Sequence, residues 1–346
     1  MLRGFKFLTL FFTMSIEKRK LEHIMICLKN DVEHNKTNGF ERVRLIGGEP
    51  ISPEKVDMGT SFLGKHFKYP LFIEAMTGGA PGTGQINKNL AAAAEHLGIG
   101  MGVGSQRAAV ENSGVVGTFE VRTVAPSMLL LGNLGMAQVV KYTIKEIEHA
   151  VESIGADALA IHINPIHEVA QPEGDKITSS LTEKLIDKIR EIKSESDIKI
   201  VVKEVGFGIS AGLAKKMESA GVDAIDVAGA GGTSWVKIEQ FRGSKSAERL
   251  LNEGVPTAIS LKECSSSVNI PIISSGGIRT GEEIAKSIAM GATLAGAALP
   301  FLKPSLESPE AVVAVAEKFI DELRHTMAGV GARKLTDLKG KYEYDR

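Results

Sequence analysis

Cysteine is scarce in this sequence. Only Cys27 and Cys264 occur in 346 residues, far apart and in no CxxC pair. A disulfide framework and a cysteine zinc site are both excluded, and a reducing compartment such as the cytoplasm fits. An excess of charge of one sign is missing too: 41 Lys and Arg stand against 42 Asp and Glu, for a net charge of −1. The chain therefore has no global field for nucleic acid or an anionic membrane, and any anion must be held by local groups. Long apolar runs are also absent. The patch Phe7–Phe12 is too short to cross a bilayer, and no small-residue cleavage site of a signal peptide follows it. Met14 opens a second plausible start, MSIEKRK. Residues 1–14 thus read as an N-terminal extension, with a peripheral packing segment as the alternative, and residues 15–346 as one domain.

What is present is a recurring rhythm. The chain is 43% hydrophobic with 37 glycines. Short apolar runs predict strands at 70–76, 98–104, 127–133, 158–164, 199–205, 224–229, 271–276 and 293–299. Helical patterns lie between them at 85–97, 142–153, 180–193, 211–220 and 281–290. Gly155, Gly221 and Gly291 follow helical patterns, as a helix stop signal does. Eight strands alternating with helices argue for parallel βα units, and eight is the number that closes a (β/α)8 TIM barrel. A doubly wound open sheet is the competing architecture.

Barrels of this kind place their chemistry at the carboxyl ends of the strands. Those ends read MTGG, GSQR, GNLG, HINPIHE, KEVG, GAGGTS, SGGIR and AALP. Nearly all are polar or glycine-rich. In SGGIRTG, the paired glycines before a helix suit a phosphate cradle, because backbone N–H groups approach an anion closely where no Cβ intervenes. They suit an ordinary tight turn equally well. In VVKEV, alternation puts Lys203 on a face with Val201 and Val205, where an ammonium needs an anionic partner. That partner is either a bound anion or a nearby carboxylate such as Asp226. In ALAIHIN, Ala158, Ala160, His162 and Asn164 share one face, directed to the barrel axis. His162 and Asn164 at a strand end are catalytic candidates.

Together with RKLEH at 19–23, the ordered motifs MTGG, GSQR, HxN with PEGD, KEVGFG, GAGGTSW and SGGIRTG resemble type 2 isopentenyl diphosphate isomerase. The likeness runs from about Glu17 to the C-terminus. It implies a (β/α)8 barrel that binds FMN, Mg²⁺ and isopentenyl diphosphate, forms the dimethylallyl isomer, and needs its flavin reduced, usually by NADPH. By this resemblance Thr233, Gly277, Ile278, Arg279, Ala297 and Ala298 hold the FMN phosphate. Ala75, Met76, Thr77 and Gly78 contact the flavin, Ser105 and Asn133 bond its edge, and Lys203 balances its negative charge when reduced. Arg19 and Lys20 grip the diphosphate opposite Ser105, Gln106 and Arg107. His23 either contributes or caps a helix. Glu168 is the implied Mg²⁺ ligand, with Glu173 and Asp175 as alternatives; one carboxylate plus phosphate oxygens and water suits that ion. A homo-oligomer, tetramer or octamer, is expected.

One position departs from the resemblance. The family usually carries Gln before the acid, and here it is His167. His relays protons near neutral pH where Gln does not, so His167 is a catalytic and substrate-contacting candidate. Two neighbouring chemistries fit less well. An FMN-dependent 2-hydroxyacid oxidase resembles its relatives in a catalytic His near the sixth strand end, where this chain has AGAGGTSWVKIEQ. An inosine monophosphate dehydrogenase-like reaction needs a loop Cys, but Cys264 lies in a helical stretch. A non-catalytic flavin or phosphate carrier would not require Glu168 or the basic pair 19–20.

Overall fold

The computed structural model describes residues 16–175, 178 and 180–345. The expected extension, residues 1–14, lies outside the described residues. Eight parallel strands form a closed barrel: β1 Leu71–Ile73, β2 Gly100–Gly102, β3 Leu130–Gly135, β4 Ala158–His162, β5 Ile200–Lys203, β6 Ala224–Asp226, β7 Ile272–Ser275 and β8 Leu294–Ala297. Each pairs in parallel with its sequence neighbours, and β8 returns to β1 through Ala295 to Leu71 and Ala297 to Ile73. All eight expected strands are present and the open-sheet alternative is not. The strands are shorter than their apolar runs. Ladder hydrogen bonds end where the tilted strands splay, while the apolar sequence runs on into the rim.

Every strand residue is buried except His162, which is half-buried. Burial on both faces is what a parallel sheet covered by helices requires. The polar residues admitted to these strands are few: Asn133, His162, Lys203, Asp226, Ser274 and Ser275. All but Asn133 fall in the last two positions of their strand, next to the rim. The opposite end is closed by a short antiparallel ladder, Thr60–Phe62 with Lys65–Phe67, whose buried Phe67 stands against Gly100 at the start of β2.

The helices form for local reasons legible in the chain. Ser210 caps Ala211–Ala220 through the Leu213 N–H, and Gly221 stops it at φ 98°. Thr280 and Glu283 make a reciprocal capping box that starts Gly281–Ala289 directly after the β7 loop. Gly155 and Gly291 also take positive φ, as their stop role predicts. The first helix, α1 Ile16–Lys29, brings Lys20 and His23 to the carboxyl rim, where His23 meets Trp235 edge-on at 5.2 Å. No described helix is long and apolar enough to cross a membrane.

Candidate active site

One cavity opens at the carboxyl rim, and residues from all eight strand ends and from α1 line it. At one end the loops after β6 and β7 meet backbone to backbone. A Cβ on Gly277, whose φ is +81°, would lie 2.5 Å from the Gly231 carbonyl group, and a Cβ on Gly232 would overlap the Gly277 nitrogen. The carbonyls of Gly276 and Gly277 are tied back by Thr257 Oγ1 at 2.5 Å and Asn38 Nδ2 at 2.7 Å. Both loops can approach so closely only as glycine. Thr233, Gly276, Gly277, Arg279, Ala297 and Ala298 wall this end, which therefore offers backbone, one hydroxyl and one guanidinium in a space free of bulk. That donor set fits a phosphate monoester. Arg279 also donates to Glu33, with Nε 2.9 Å from Oε1. The Ile278 side chain is fully buried and off the cavity wall, which leaves its backbone N–H as the group it could offer a phosphate.

The floor carries a buried charge cluster. Lys203 Nζ stands 3.3 Å from Asp226 Oδ2 and 3.6 Å from Glu74 Oε2. The carboxylate-partner alternative for Lys203 is therefore present, with two acids rather than one. Lys203 and Glu74 both line the cavity. Burial opposes the ammonium, but Asp226 and Glu74 outweigh it and hold its pKa above the ordinary value. Ala75, Met76 and Thr77 continue the floor from β1. Gly78 is not on the wall itself; its carbonyl accepts from Lys20, which is.

The amide of Asn133 is already engaged within the protein. Its Nδ2 donates to the Val103 carbonyl at 3.0 Å, and its Oδ1 lies 2.8 Å from His162 Nδ1. An oxygen can only accept, so His162 carries its proton on Nδ1 and leaves Nε2 as an acceptor. Burial, then the Lys203 charge, push the His162 pKa down to about 3, so the ring is neutral at pH 7. Asn164 Nδ2 donates to Glu168 Oε1 at 2.7 Å, and the Asp175 amide donates to Oε2 at 2.5 Å. Glu168 is thus fixed at the rim, while Asp175 is occupied by Arg107 and Gln138, and Glu173 by Arg242. Among the described residues no three His, Cys, Asp or Glu side chains converge to hold a metal alone. A single carboxylate completed by a ligand's phosphate oxygens remains suited to Mg²⁺.

Over the cavity, His167 stacks on Trp235 with centroids 4.9 Å apart, and both imidazoles reach one buried acid. His23 Nε2 is 3.0 Å and His167 Nε2 3.3 Å from Glu239 Oε1; Glu239 Oε2 takes Arg242 at 2.5 Å. Burial would raise the Glu239 carboxyl, but the two imidazoles hold it well below the usual range. His23 is therefore part of the wall, not a helix cap. Trp235, Glu239 and Arg242 were not singled out from the sequence. A helix begun by Ser234 directly after the β6 loop was the signal that could have found them.

The cationic side is built from α1 and the loop after β2. Lys20 donates to the Ser105 carbonyl at 2.8 Å and to the Gly78 carbonyl, and lies 5.2 Å from the Phe119 ring centre. Those contacts favour the ammonium, yet burial, followed by the neighbouring Arg19, brings its pKa down to about 7. Arg19 approaches Glu173 at 3.7 Å, and Arg107 pairs with Glu111 and Asp175. Arg19, Lys20, Ser105 and Arg107 all face the cavity. Gln106 does not. It is fully buried, donates to the Ala150 carbonyl at 2.6 Å and accepts from the backbone N–H of Asn133 at 2.9 Å. It braces β3 instead of touching a ligand, because the turn after β2 alternates its side chains in and out.

Comparison with known proteins adds to this geometry. The family model for FMN-dependent dehydrogenases matches residues 162–344. The chain is 45% identical to the isopentenyl-diphosphate delta-isomerase of Pyrococcus furiosus over 337 residues, covering 93% of this chain and 84% of that protein. It is 45% identical to the isopentenyl-diphosphate delta-isomerase of Methanosarcina barkeri (93% and 90% covered) and 44% identical to that of Mycolicibacterium vanbaalenii (94% and 96%). Among solved structures it superposes on mandelate oxidase with 3,3-difluoro-2-hydroxy-3-phenylpropionic acid at a TM-score of 0.62, 16% identity and 94% and 95% coverage. Mandelate oxidase with (S)-4-hydroxymandelic acid gives a TM-score of 0.62, 14% identity and 93% and 94% coverage. At such identities the structures establish the shared barrel and no more.

Proposed function

Because this chain belongs to the isopentenyl-diphosphate delta-isomerase family, in its flavin-dependent type 2 form, we propose that it converts isopentenyl diphosphate to dimethylallyl diphosphate by a 1,3-allylic proton shift. The observation that carries this is the pairing, in one cavity, of a glycine-built phosphate end with a separate cationic side. FMN alone would need only the first. Its phosphate would lie against Thr233, Gly277, Arg279, Ala297 and Ala298, with Ala75, Met76 and Thr77 beside the ring. Bound and reduced, with NADPH as the hydride donor, FMN supplies an electron-rich plane and a ring nitrogen able to give and take a proton.

The protein's own part is binding, orientation and exclusion of water. Arg19, Lys20 and Arg107 hold the diphosphate, and Glu168, steadied by Asn164, supplies the carboxylate for Mg²⁺. Neutral His162 offers an acceptor nitrogen, fixed by Asn133. Lys203, on the cavity wall, would supply positive charge to balance a reduced flavin. His167, standing where the family usually has Gln, is held by Trp235 and Glu239 and can store a proton beside the substrate. A homo-oligomer in the cytoplasm completes the reading.

The experiment is anaerobic incubation with FMN, dithionite or NADPH, Mg²⁺ and isopentenyl diphosphate, following the dimethylallyl isomer. Turnover should vanish with chelator or with oxidised flavin; full activity under either condition would contradict the proposal. The barrel likeness to mandelate oxidase raises 2-hydroxyacid oxidation as a second reading. The segment following β6, Val227–Trp235, carries no His to abstract a proton, so oxygen consumption with lactate or mandelate should be absent.

A further inference from the structure

The cavity floor holds a carboxyl group that the mechanism above leaves idle. Glu74 follows β1 directly, is 6% exposed, and its Oε1 has no hydrogen-bond partner. That oxygen stands over Gly296 of β8, itself on the cavity wall, where any Cβ would overlap it. Its other oxygen shares Lys203 with Asp226. Asp226 has further donors: the Ser275 hydroxyl at 2.6 Å and the Ala228 amide at 3.2 Å, both on Oδ1. The charged groups facing Glu74 are thus Lys203 from β5 and Asp226 from β6. Neighbouring β8 presents Gly296, and β7 presents uncharged Ser275. Glu204, beside Lys203, is spent on the amides of Val205 and Phe207.

Two carboxylates on one ammonium would leave an uncompensated negative charge on buried groups, which is costly. Glu74, with fewer donors than Asp226, is the acid that holds a proton. Burial first, and the Asp226 charge second, push its carboxyl up to about 8.

We propose that Glu74 is a redox-linked proton acceptor: when the bound flavin gains negative charge on reduction, Glu74 takes a proton from solvent and yields Lys203 to the flavin's pyrimidine edge. This rests on the FMN reading above. The balance is simple. Two electrons and one proton pass to the flavin from a hydride donor such as NADPH, or from dithionite and solvent. A second proton converts the Glu74 carboxylate to the acid, and no carbon bond changes. Below about pH 8 Glu74 is already neutral, so the uptake is confined to the alkaline side.

The test is the midpoint potential of the FMN-loaded enzyme against pH, for the wild type, Glu74→Gln and Glu74→Ala. In the wild type the potential should fall twice as steeply above about pH 8 as below it, two protons per two electrons replacing one. Ionisation of the reduced flavin makes that slope shallower as pH rises, and ionisation of the oxidised ring's imide N–H steepens it equally in wild type and variants, so the difference between them reports Glu74. Both variants should keep the single-proton slope throughout. An infrared difference spectrum of the wild type in alkaline buffer, with ¹³C-labelled glutamate, should gain a protonated-carboxyl band on reduction; this arm needs no variant to fold. Identical slopes in wild type and variants, or no such band, overturns the inference. A chain that binds no FMN, or never isomerises, fails the proposed function instead. An active flavoenzyme whose slope never steepens fails this inference alone.

Discussion

Replacing Gly277 with Ala separates the phosphate-cradle argument from ordinary turn chemistry. The left-handed backbone at φ +81° costs an L-residue about 1–2 kcal/mol. The new Cβ would sit 2.5 Å from the Gly231 carbonyl carbon and oxygen and 3.0 Å from the Gly232 nitrogen. All three are backbone atoms, so no side chain can swing aside. Forcing that contact apart costs a further ~1–3 kcal/mol, as overpacking does. The sum is about 2–5 kcal/mol, and the overpacking part falls on the junction of the two loops. If those loops jointly hold the FMN phosphate, parting them should weaken FMN binding about 5- to 150-fold, the ~1–3 kcal/mol of the overpacking part taken at 1.4 kcal/mol per tenfold. Urea unfolding of the apoprotein and fluorescence titration with FMN measure the two effects. Gly243→Ala is the control: φ is +87° with nothing within 4 Å of the new atom, so it carries the backbone term alone. Gly212→Ala, in open space on a helix, should stabilise by roughly 0.5–1 kcal/mol. FMN affinity in Gly277→Ala equal to wild type, with stability equal to Gly243→Ala, would refute the cradle.

Other perturbations test other walls of the cavity. Glu239→Gln removes the buried anion between two imidazoles and Arg242; because Arg242 keeps Glu22 and Glu173, the loss should be near 3 kcal/mol, the low end for a broken buried pair. Its carboxyl is depressed when folded, so its contribution is present above the unfolded value near 4 and fades as pH falls further; urea midpoints for wild type and variant should converge in acid. Lys20 should be largely neutral above about pH 7 in the free enzyme, so diphosphate binding there should take up a proton, visible by calorimetry in buffers of different ionisation heat. Zero uptake, or unchanged uptake in Lys20→Met, would remove Lys20 from the diphosphate site. His167→Gln should alter the pH profile of kcat/KM, because it deletes the titratable ring stacked on Trp235; superimposable profiles would dismiss His167 as a proton relay.

The chain's local chemistry determined a great deal. The eight apolar runs, the helix starts at Ser210 and Thr280 and the stops at Gly155, Gly221 and Gly291 follow from burial, capping and the freedom of glycine at positive φ. Each depends on residues close in sequence, so each could be read in order. The carboxyl rim as the site followed as soon as the barrel did; the family resemblance named Thr233, Gly277, Arg279 and Lys203, which the fold brings to one cavity.

Contacts across the barrel were decided only by folding. Glu74 and Asp226 lie far apart in the chain yet share Lys203, because β5 and β6 are neighbours and Glu74 reaches across the barrel from the end of β1, four strands away from β5. Glu239 is a buried helix acid whose partner His23 arrives on α1, far away in the chain. Gln106 sits within a motif that resembles a ligand contact, but the turn it occupies sends its side chain inward. Sequence order fixes which groups a strand end can offer. Which of them meet, and which must keep a proton because water is gone, depends on distances that exist only once the cylinder has closed.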